Sequence, residues 1–264
     1  MITSRQNQRI KDAVRLRDRQ HRERQQQFLI EGVREVGRAV AAGIQLVEVF
    51  VAPELATEQD AAQLLENLTR SDVPRHDVSP EVFEKLAYGE RSEGVVAVAQ
   101  MTSRSLDDLT LPAHPVVALL EGIEKPGNLG AIARSADAAG VAALVVVGCG
   151  TDIYNPNAIR ASLGTLFTVP VVPTTAETAL AWAQGLGIPI FAARPDAEKL
   201  YTDATYAAGA CLVLGSEAMG LSPTWHDPAV TPIRLPMHGV ADSLNVSATA
   251  AVLFYEALRP HYGK

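Results

Sequence analysis

The sequence predicts an α/β chain in which a smaller α/β domain precedes a parallel-sheet domain. Three observations carry that expectation. Short apolar runs of strand length recur along the chain, most of them followed by a segment with helical spacing of its apolar residues. In the second half strands alternate with helices, which favours a parallel sheet with helices on both faces. Between the halves lies the polar stretch 102–115, with Ser103, Ser105, Asp107, Asp108, Pro112 and Pro115, which reads as a linker dividing 1–102 from 113–264.

Taken in order, residues 1–24 read as a basic leading helix. Eight basic side chains (Arg5, Arg9, Lys11, Arg15, Arg17, Arg19, Arg22, Arg24) face three acidic ones (Asp12, Asp18, Glu23), a balance of +5; the whole chain carries −7, so the remainder carries −12. A basic leading helix on an acidic chain suggests contact with a polyanion, and the planar arginine fork suits phosphate. The alternative is a solvated helix with intrahelical pairs such as Asp18–Arg22. Residues 28–32 read as a strand and turn, 33–42 as a helix ended by Gly43, and 47–51 as a second strand. Helices are expected over 54–70 and 80–87, and a third strand over 94–99.

Beyond the linker, strands are expected at 116–120, 143–147, 169–172, 188–192, 212–214 and 233–235. Helices are expected at 128–139, 157–163, 176–186 and 244–259, with Asn128 placed to cap the first and Gly140 to end it. Gly148-x-Gly150 after a strand tempts a dinucleotide reading. It lacks the third glycine and leads to Asp152 and Pro156 instead of a clean helix start.

Composition narrows the function classes. A chain of 264 residues, 47% hydrophobic, has room for one large or two medium domains with a substantial core. No run approaches the roughly 18 uninterrupted apolar residues of a membrane span. Residues 1–30 lack the apolar centre of a signal peptide, so a cytoplasmic location is expected. Cys149 and Cys211, inside or beside predicted buried strands, do not suggest a disulfide framework, and no Cys/His cluster has zinc spacing, so no metal is expected.

Chemistry gathers in three places, each just after a predicted buried strand, where open parallel sheets bind ligands. Residues 121–140 hold Asn128 and Arg134. Residues 211–222 hold Gly215 and Glu217. Residues 235–247 crowd Ser243, Asn245 and Ser247 around a helix start beside Pro236 and Gly239, a setting whose free N–H groups suit an anion or a nucleoside. Read blandly, Ser243 is a plain N-cap, Asn245 solvated surface and Arg134 an exposed helical arginine.

The ordered set Asn128-x-Gly130-x-x-x-Arg134, then Leu214-Gly215-x-Glu217-x-x-Gly220-Leu221-Ser222, then Leu235-Pro236-Met237-x-Gly239 with Ser243-Leu244-Asn245-Val246-Ser247, resembles the three motifs of the SpoU (TrmH) family. These are RNA ribose 2′-O-methyltransferases of the SPOUT superfamily, and the resemblance spans 116–259. Ser216 departs from the Asn that many members carry there, which leaves the subfamily open. The run from Glu31-Gly32 to Val49-x-Val51 is similar to the small domain, akin to ribosomal RNA-binding proteins, that many members carry in front.

The resemblance implies a deep trefoil knot around the second and third motifs, S-adenosyl-L-methionine as cofactor, a homodimer, and an RNA substrate, with 23S rRNA favoured over tRNA. It implies Arg134 beside the acceptor hydroxyl, as base or as stabiliser of the alkoxide, and Glu217 orienting Arg134 or Asn128. Ser243 and Asn245 would hold the nucleoside or its phosphate. Gly215, Leu235, Met237 and Leu244, with Leu214 and Ile233, would cradle the adenosine. Rival readings are methylation of a base nitrogen, an RNA-binding member without catalysis, and a small-molecule α/β enzyme. The last leaves the basic leading segment without a purpose.

Overall fold

The computed structural model describes residues 1–88, 93–148, 152–216 and 219–262. The chain divides into two units, Met1–Thr102 with Asp152–Thr168, and Ser103–Thr151 with Val169–Lys264. The first opens with α1 (Gln8–Arg15), capped by the Asn7 side chain, and α2 (Arg19–Gln25), capped by the Asp18 side chain. The leading segment is therefore two short helices and not one. In place of the Asp18–Arg22 pair of the alternative reading, Asp18 Oδ1 accepts the backbone N–H groups of Gln20 and His21, and Arg22 pairs elsewhere.

Then come β1 (Gln27–Glu31), α3 (Val33–Ala41), β2 (Leu46–Val51), α4 (Gln59–Thr69), β3 (Arg75–Asp77), α5 (Pro80–Leu86) and β4 (Val95–Gln100). The sheet order is β1-β4-β2-β3; β4 runs antiparallel to both neighbours, and β2 and β3 are parallel. Ile10, Ala13 and Leu16 join Leu29, Phe50, Val82, Phe83, Val96 and Val98 in one buried cluster. Two expectations shift. Helix α4 starts at Gln59 and not near residue 54, because the chain turns at 52–56 against Gly94, where a Cβ would lie 2.5 Å from the Ala56 nitrogen. Strand β3 was not expected, since Arg75-His76-Asp77 is a polar edge without an apolar signal.

The second unit begins with a 3-10 turn, Leu106–Asp108, closed by a Ser105–Asp108 capping box. Leu106 is buried in this unit's core, so part of the apparent linker is structural. Strand β5 (Val116–Glu121), α6 (Pro126–Ala139) and β6 (Ala143–Val147) follow. The next helix, α7 (Pro156–Ala161), lies in the 152–168 segment of the first unit. There Arg22 pairs with Asp152, and the Phe28 ring meets Tyr154 at 4.5 Å and Phe167 at 5.9 Å. Arg38 donates to the Leu163 carbonyl at 2.7 Å, and the Tyr154 hydroxyl to the Thr102 carbonyl at 2.6 Å.

The second unit resumes with β7 (Val171–Thr174), α8 (Ala176–Gly185), β8 (Ile190–Ala193), β9 (Ala210–Leu214), β10 (Val230–Ile233) and α9 (Val246–Leu258). All neighbours in the six-stranded sheet, ordered β10-β8-β9-β5-β6-β7, are parallel. One face, with Val117, Leu119, Val145 and Val213, packs with Ala179 and Ala183 of α8 and with Trp225. Helices α6 and α9 pack on each other and against β5, β6 and β9, where the alternate strand residues point.

Pro126, with its preset φ, opens α6, so Asn128 lies in the first turn and is not the cap. Gly140 ends that helix with φ +88°. Strand β10 stops at Ile233, two residues short of Leu235, and α9 starts at Val246 behind an Asn245 cap, which leaves Ser243 and Leu244 outside the helix. Cys211 is buried, while Cys149, Gly150 and Glu217 lie outside the described residues. Among the described residues, no helix is long and apolar enough to cross a membrane.

Candidate active site

Because the sheet is parallel, the loops leaving β5, β9 and β10 emerge at one edge. The loop after β9 is folded back tightly. Ser216 and Gly220 exchange both backbone hydrogen bonds, at 3.1 and 3.0 Å. A Cβ on Gly215 would sit 2.5 Å from the Gly220 carbonyl oxygen, so only glycine fits there. At the end of this loop Ser222 donates its N–H (2.7 Å) and its hydroxyl (2.8 Å) to the two oxygens of Glu121, the last residue of β5.

The loop after β10 reaches α9 through Asn245. Its Oδ1 accepts the Ser247 N–H at 2.9 Å and the Ser247 hydroxyl at 2.6 Å. With the oxygen occupied in capping, Nδ2 is turned outward and donates to Asn128 Oδ1 at 3.2 Å. First and third motifs, 117 residues apart in sequence at these two asparagines, are thereby joined by a side-chain bond. Asn245 is exposed, as the bland reading has it, and serves as cap and bridge as well.

Between the second and third loops lies a cavity of about 180 Å³. Leu214, Gly215, Ile233, Leu235, Met237 and Leu244, the six residues expected to contact a cofactor, all line it, as does Ser243. Leu221 and Val246 extend the apolar wall. Arg194, Asp242 and Thr249 also line it and were not anticipated. Arg194 was legible in principle, as the first charge after the apolar strand β8; its guanidinium bonds Asp196 at 3.0 and 2.6 Å. That contact raises the Arg194 pKa and lowers that of Asp196.

Asn128 and Arg134 do not line the cavity. Arg134 is exposed on α6, almost two turns beyond Asn128. Glu217 falls outside the described residues. Among the described residues, no group of three or more His, Cys, Asp or Glu side chains is placed to hold a metal ion.

The basic leading segment looks different in three dimensions. Arg22 is 2% exposed and donates to the Leu16 and Arg17 carbonyls as well as to Asp152. Arg17 donates to the Lys85 and Ala87 carbonyls and lies over the Tyr88 ring; burial lowers its pKa, against the opposing pull of Glu31 and Tyr88. Arg5, Arg9, Arg15 and Arg19 pair with Glu84, Glu48, Asp12 and Glu23. The net charge of the segment is therefore a poor count of the cations it offers outward.

Residues 115–255 match the model of the SpoU rRNA Methylase family, and residues 7–97 match the MRM3-like substrate binding domain. The chain belongs to the SpoU rRNA methylase family. The resemblance drawn from the three motifs is borne out. This SpoU chain is 31% identical, over 92% of its length and 86% of the relative's, to a 23S rRNA (uridine(2479)-2'-O)-methyltransferase of Streptomyces viridochromogenes. A crystal structure of an RNA 2'-O ribose methyltransferase superposes with TM-score 0.86 at 40% identity, covering 98% of each chain. The SpoU methyltransferase AviRb of Streptomyces viridochromogenes, in complex with AdoMet, superposes with TM-score 0.88 at 28% identity, over 98% of this chain and 99% of that one. In this SpoU member the residue before Glu217 is Ser216, whose backbone closes the loop onto Gly220.

Proposed function

We propose that this chain transfers a methyl group from S-adenosyl-L-methionine to a ribose 2′-hydroxyl of RNA, with 23S rRNA as the substrate. The observation that carries the proposal is the convergence of the three loops: a cavity walled by the second and third, and a third loop tied to the first through Asn245–Asn128. The relative named for 23S rRNA ribose methylation, aligned over most of both chains, supports this RNA over tRNA. A bacterial substrate of that kind would place the chain in the cytoplasm.

The cavity suits the cofactor. Its apolar walls, Leu214, Leu221, Ile233 and Val246, can sandwich a flat base, while apolar residues such as Leu235, Met237 and Leu244 can offer polar contact only through their main chain. A side chain at Gly215 would disrupt the wall. When bound, S-adenosyl-L-methionine supplies a methyl group already activated by the sulfonium charge.

The remaining task of the protein is to position the acceptor and stabilise the alkoxide that develops as its proton leaves. We assign Arg134 to that alkoxide. A guanidinium hardly ever deprotonates, so the proton passes to phosphate or water and not to Arg134. Glu217 is assigned to orienting Arg134 or Asn128. Ser243 and Asn245 hold the nucleoside or its phosphate near the α9 N-terminus, where the helix dipole favours negative charge. The first unit is assigned to RNA docking, as its match to a substrate binding domain supports.

We further read the loops after β9 and β10 as parts of a deep trefoil knot, which family membership and the parallel strand order support. Two copies would associate through the α6–α9 side, where Val252 and Tyr255 of α9 are exposed. Mapping 2′-O-methyl groups by mass spectrometry in rRNA and tRNA, with and without the protein, tests the proposal. A methyl group found on a base nitrogen, or no S-adenosyl-L-methionine-dependent product, would overturn it.

A further inference from the structure

We propose that Glu121 is a positioning residue for the cofactor cavity, acting by holding Gly220–Ser222, which line and flank that cavity, against the end of β5. The inference rests on the reading that this cavity takes S-adenosyl-L-methionine, and it concerns a residue outside the cavity lining. Strand β5 is interior to the sheet, between β9 and β6, and so is firmly held. Its last residue, Glu121, is half-buried and has both carboxylate oxygens engaged by Ser222, one by the backbone N–H and one by the hydroxyl. Hydrogen bonds to an ionised carboxylate are shorter and stronger than neutral ones, and two together fix direction as well as distance.

The surroundings show why such a strap matters. Gly215, Ser216, Gly220 and Leu221 line the cavity, so the position of this loop sets one cavity wall. The Ser216–Gly220 bonds close the loop on itself but do not tie it to the sheet. The contact with Glu121 does. The approach is close: Gly122 has φ +64°, and a Cβ there would lie 3.3 Å from the Ser216 Cβ. Beyond Ser222 the chain is anchored again by Trp225, buried in the sheet's core. Loss of the Glu121 contact therefore loosens Gly220–Ser222 from the end of β5, without removing the Trp225 anchor.

The experiment is equilibrium binding of S-adenosyl-L-methionine to the full chain by calorimetry, reading stoichiometry and dissociation constant separately. It compares wild type with Glu121→Ala, Glu121→Gln, Ser222→Ala and the double variant Glu121→Ala/Ser222→Ala. Glu121→Ala is expected to raise the dissociation constant by about tenfold or more, with stoichiometry unchanged. Glu121→Gln, which keeps the shape and one acceptor, falls between it and wild type. The double variant is no worse than Glu121→Ala within about twofold, because both changes break one contact. The KM for RNA stays at the wild-type value. Multiplicative effects in the double variant, a dissociation constant within twofold of wild type in Glu121→Ala, or lost stoichiometry at unchanged affinity would each overturn the proposal. Should Glu121→Ala not fold, the Glu121→Gln and Ser222→Ala affinities decide by the same twofold limit. A wild-type chain that binds no S-adenosyl-L-methionine overturns the functional reading itself, whereas a binding wild type with insensitive variants overturns only the role of Glu121.

Discussion

Arg22→Met separates two uses of an arginine in the leading segment. If Arg22 serves RNA, the change weakens RNA binding and leaves stability alone; the structure requires the reverse. The guanidinium is 2% exposed and satisfies three acceptors: the Leu16 and Arg17 carbonyls, at 2.8 and 2.7 Å, and the Asp152 carboxylate. Methionine fills similar space without a donor. Each orphaned buried carbonyl costs about 1–3 kcal/mol, and breaking a buried ion pair by removing one partner costs about 3–5 kcal/mol in all. Asp152 keeps 16% exposure and recovers some hydration, so we expect a loss of about 3 kcal/mol, at the lower end of that range. For a unit of this size the melting temperature falls by roughly 10 °C. Urea unfolding followed by far-UV circular dichroism measures the loss, and the salt dependence of RNA affinity is measured on the same preparation. Adding Asp152→Leu should restore part of the stability, since no unpaired carboxylate then remains. A loss below about 1 kcal/mol, or a flattened salt dependence in a protein of unchanged stability, would refute the reasoning.

Arg134→Ala should lower methyl transfer by about 10²- to 10³-fold while the S-adenosyl-L-methionine dissociation constant stays put, since Arg134 does not line the cavity; retained turnover would remove Arg134 from the acceptor. Deleting residues 1–24 strips Ile10, Ala13 and Leu16 from the first unit's core, so a large fall in melting temperature is expected. A stable truncated protein whose log–log salt slope drops by about 0.7–0.9 per lost phosphate contact would instead favour the leading segment as an RNA dock. Asn245→Ala removes the α9 cap and the bridge to Asn128 together; we expect about 1 kcal/mol of lost stability and a raised RNA KM, and a change in stability alone would reduce Asn245 to a cap. Burial pushes the Cys211 thiol up to about 12, so the folded state holds its proton while an unfolded thiol, with its ordinary value of 9.0, gives it up. Stability should therefore fall as pH rises from 9 toward 12, and Cys211 should resist iodoacetamide at pH 9 until urea unfolds the chain, which peptide mapping would reveal.

What could be read before folding divides along a physical line. The strands of the second unit were legible because β6, β9 and all of β5 before Glu121 are buried on both faces and so are apolar. The cavity residues were legible because their place just after such strands fixes where they emerge. Strand β3, polar and at an edge, had no pattern to show. Asn128 and Asn245 were identifiable singly, yet their mutual bond spans 117 positions and depends on Asn245 being the cap, which neighbouring Ser243 obscured. Arg22 marks the limit most clearly. Counted by charge it belonged with seven other cations as a phosphate contact, and nothing nearby in sequence distinguished it. What decides its role is the set of acceptors around it, one of them supplied by Asp152, 130 residues away. Charge along a chain reports how many cations there are; only the fold determines which of them are already neutralised.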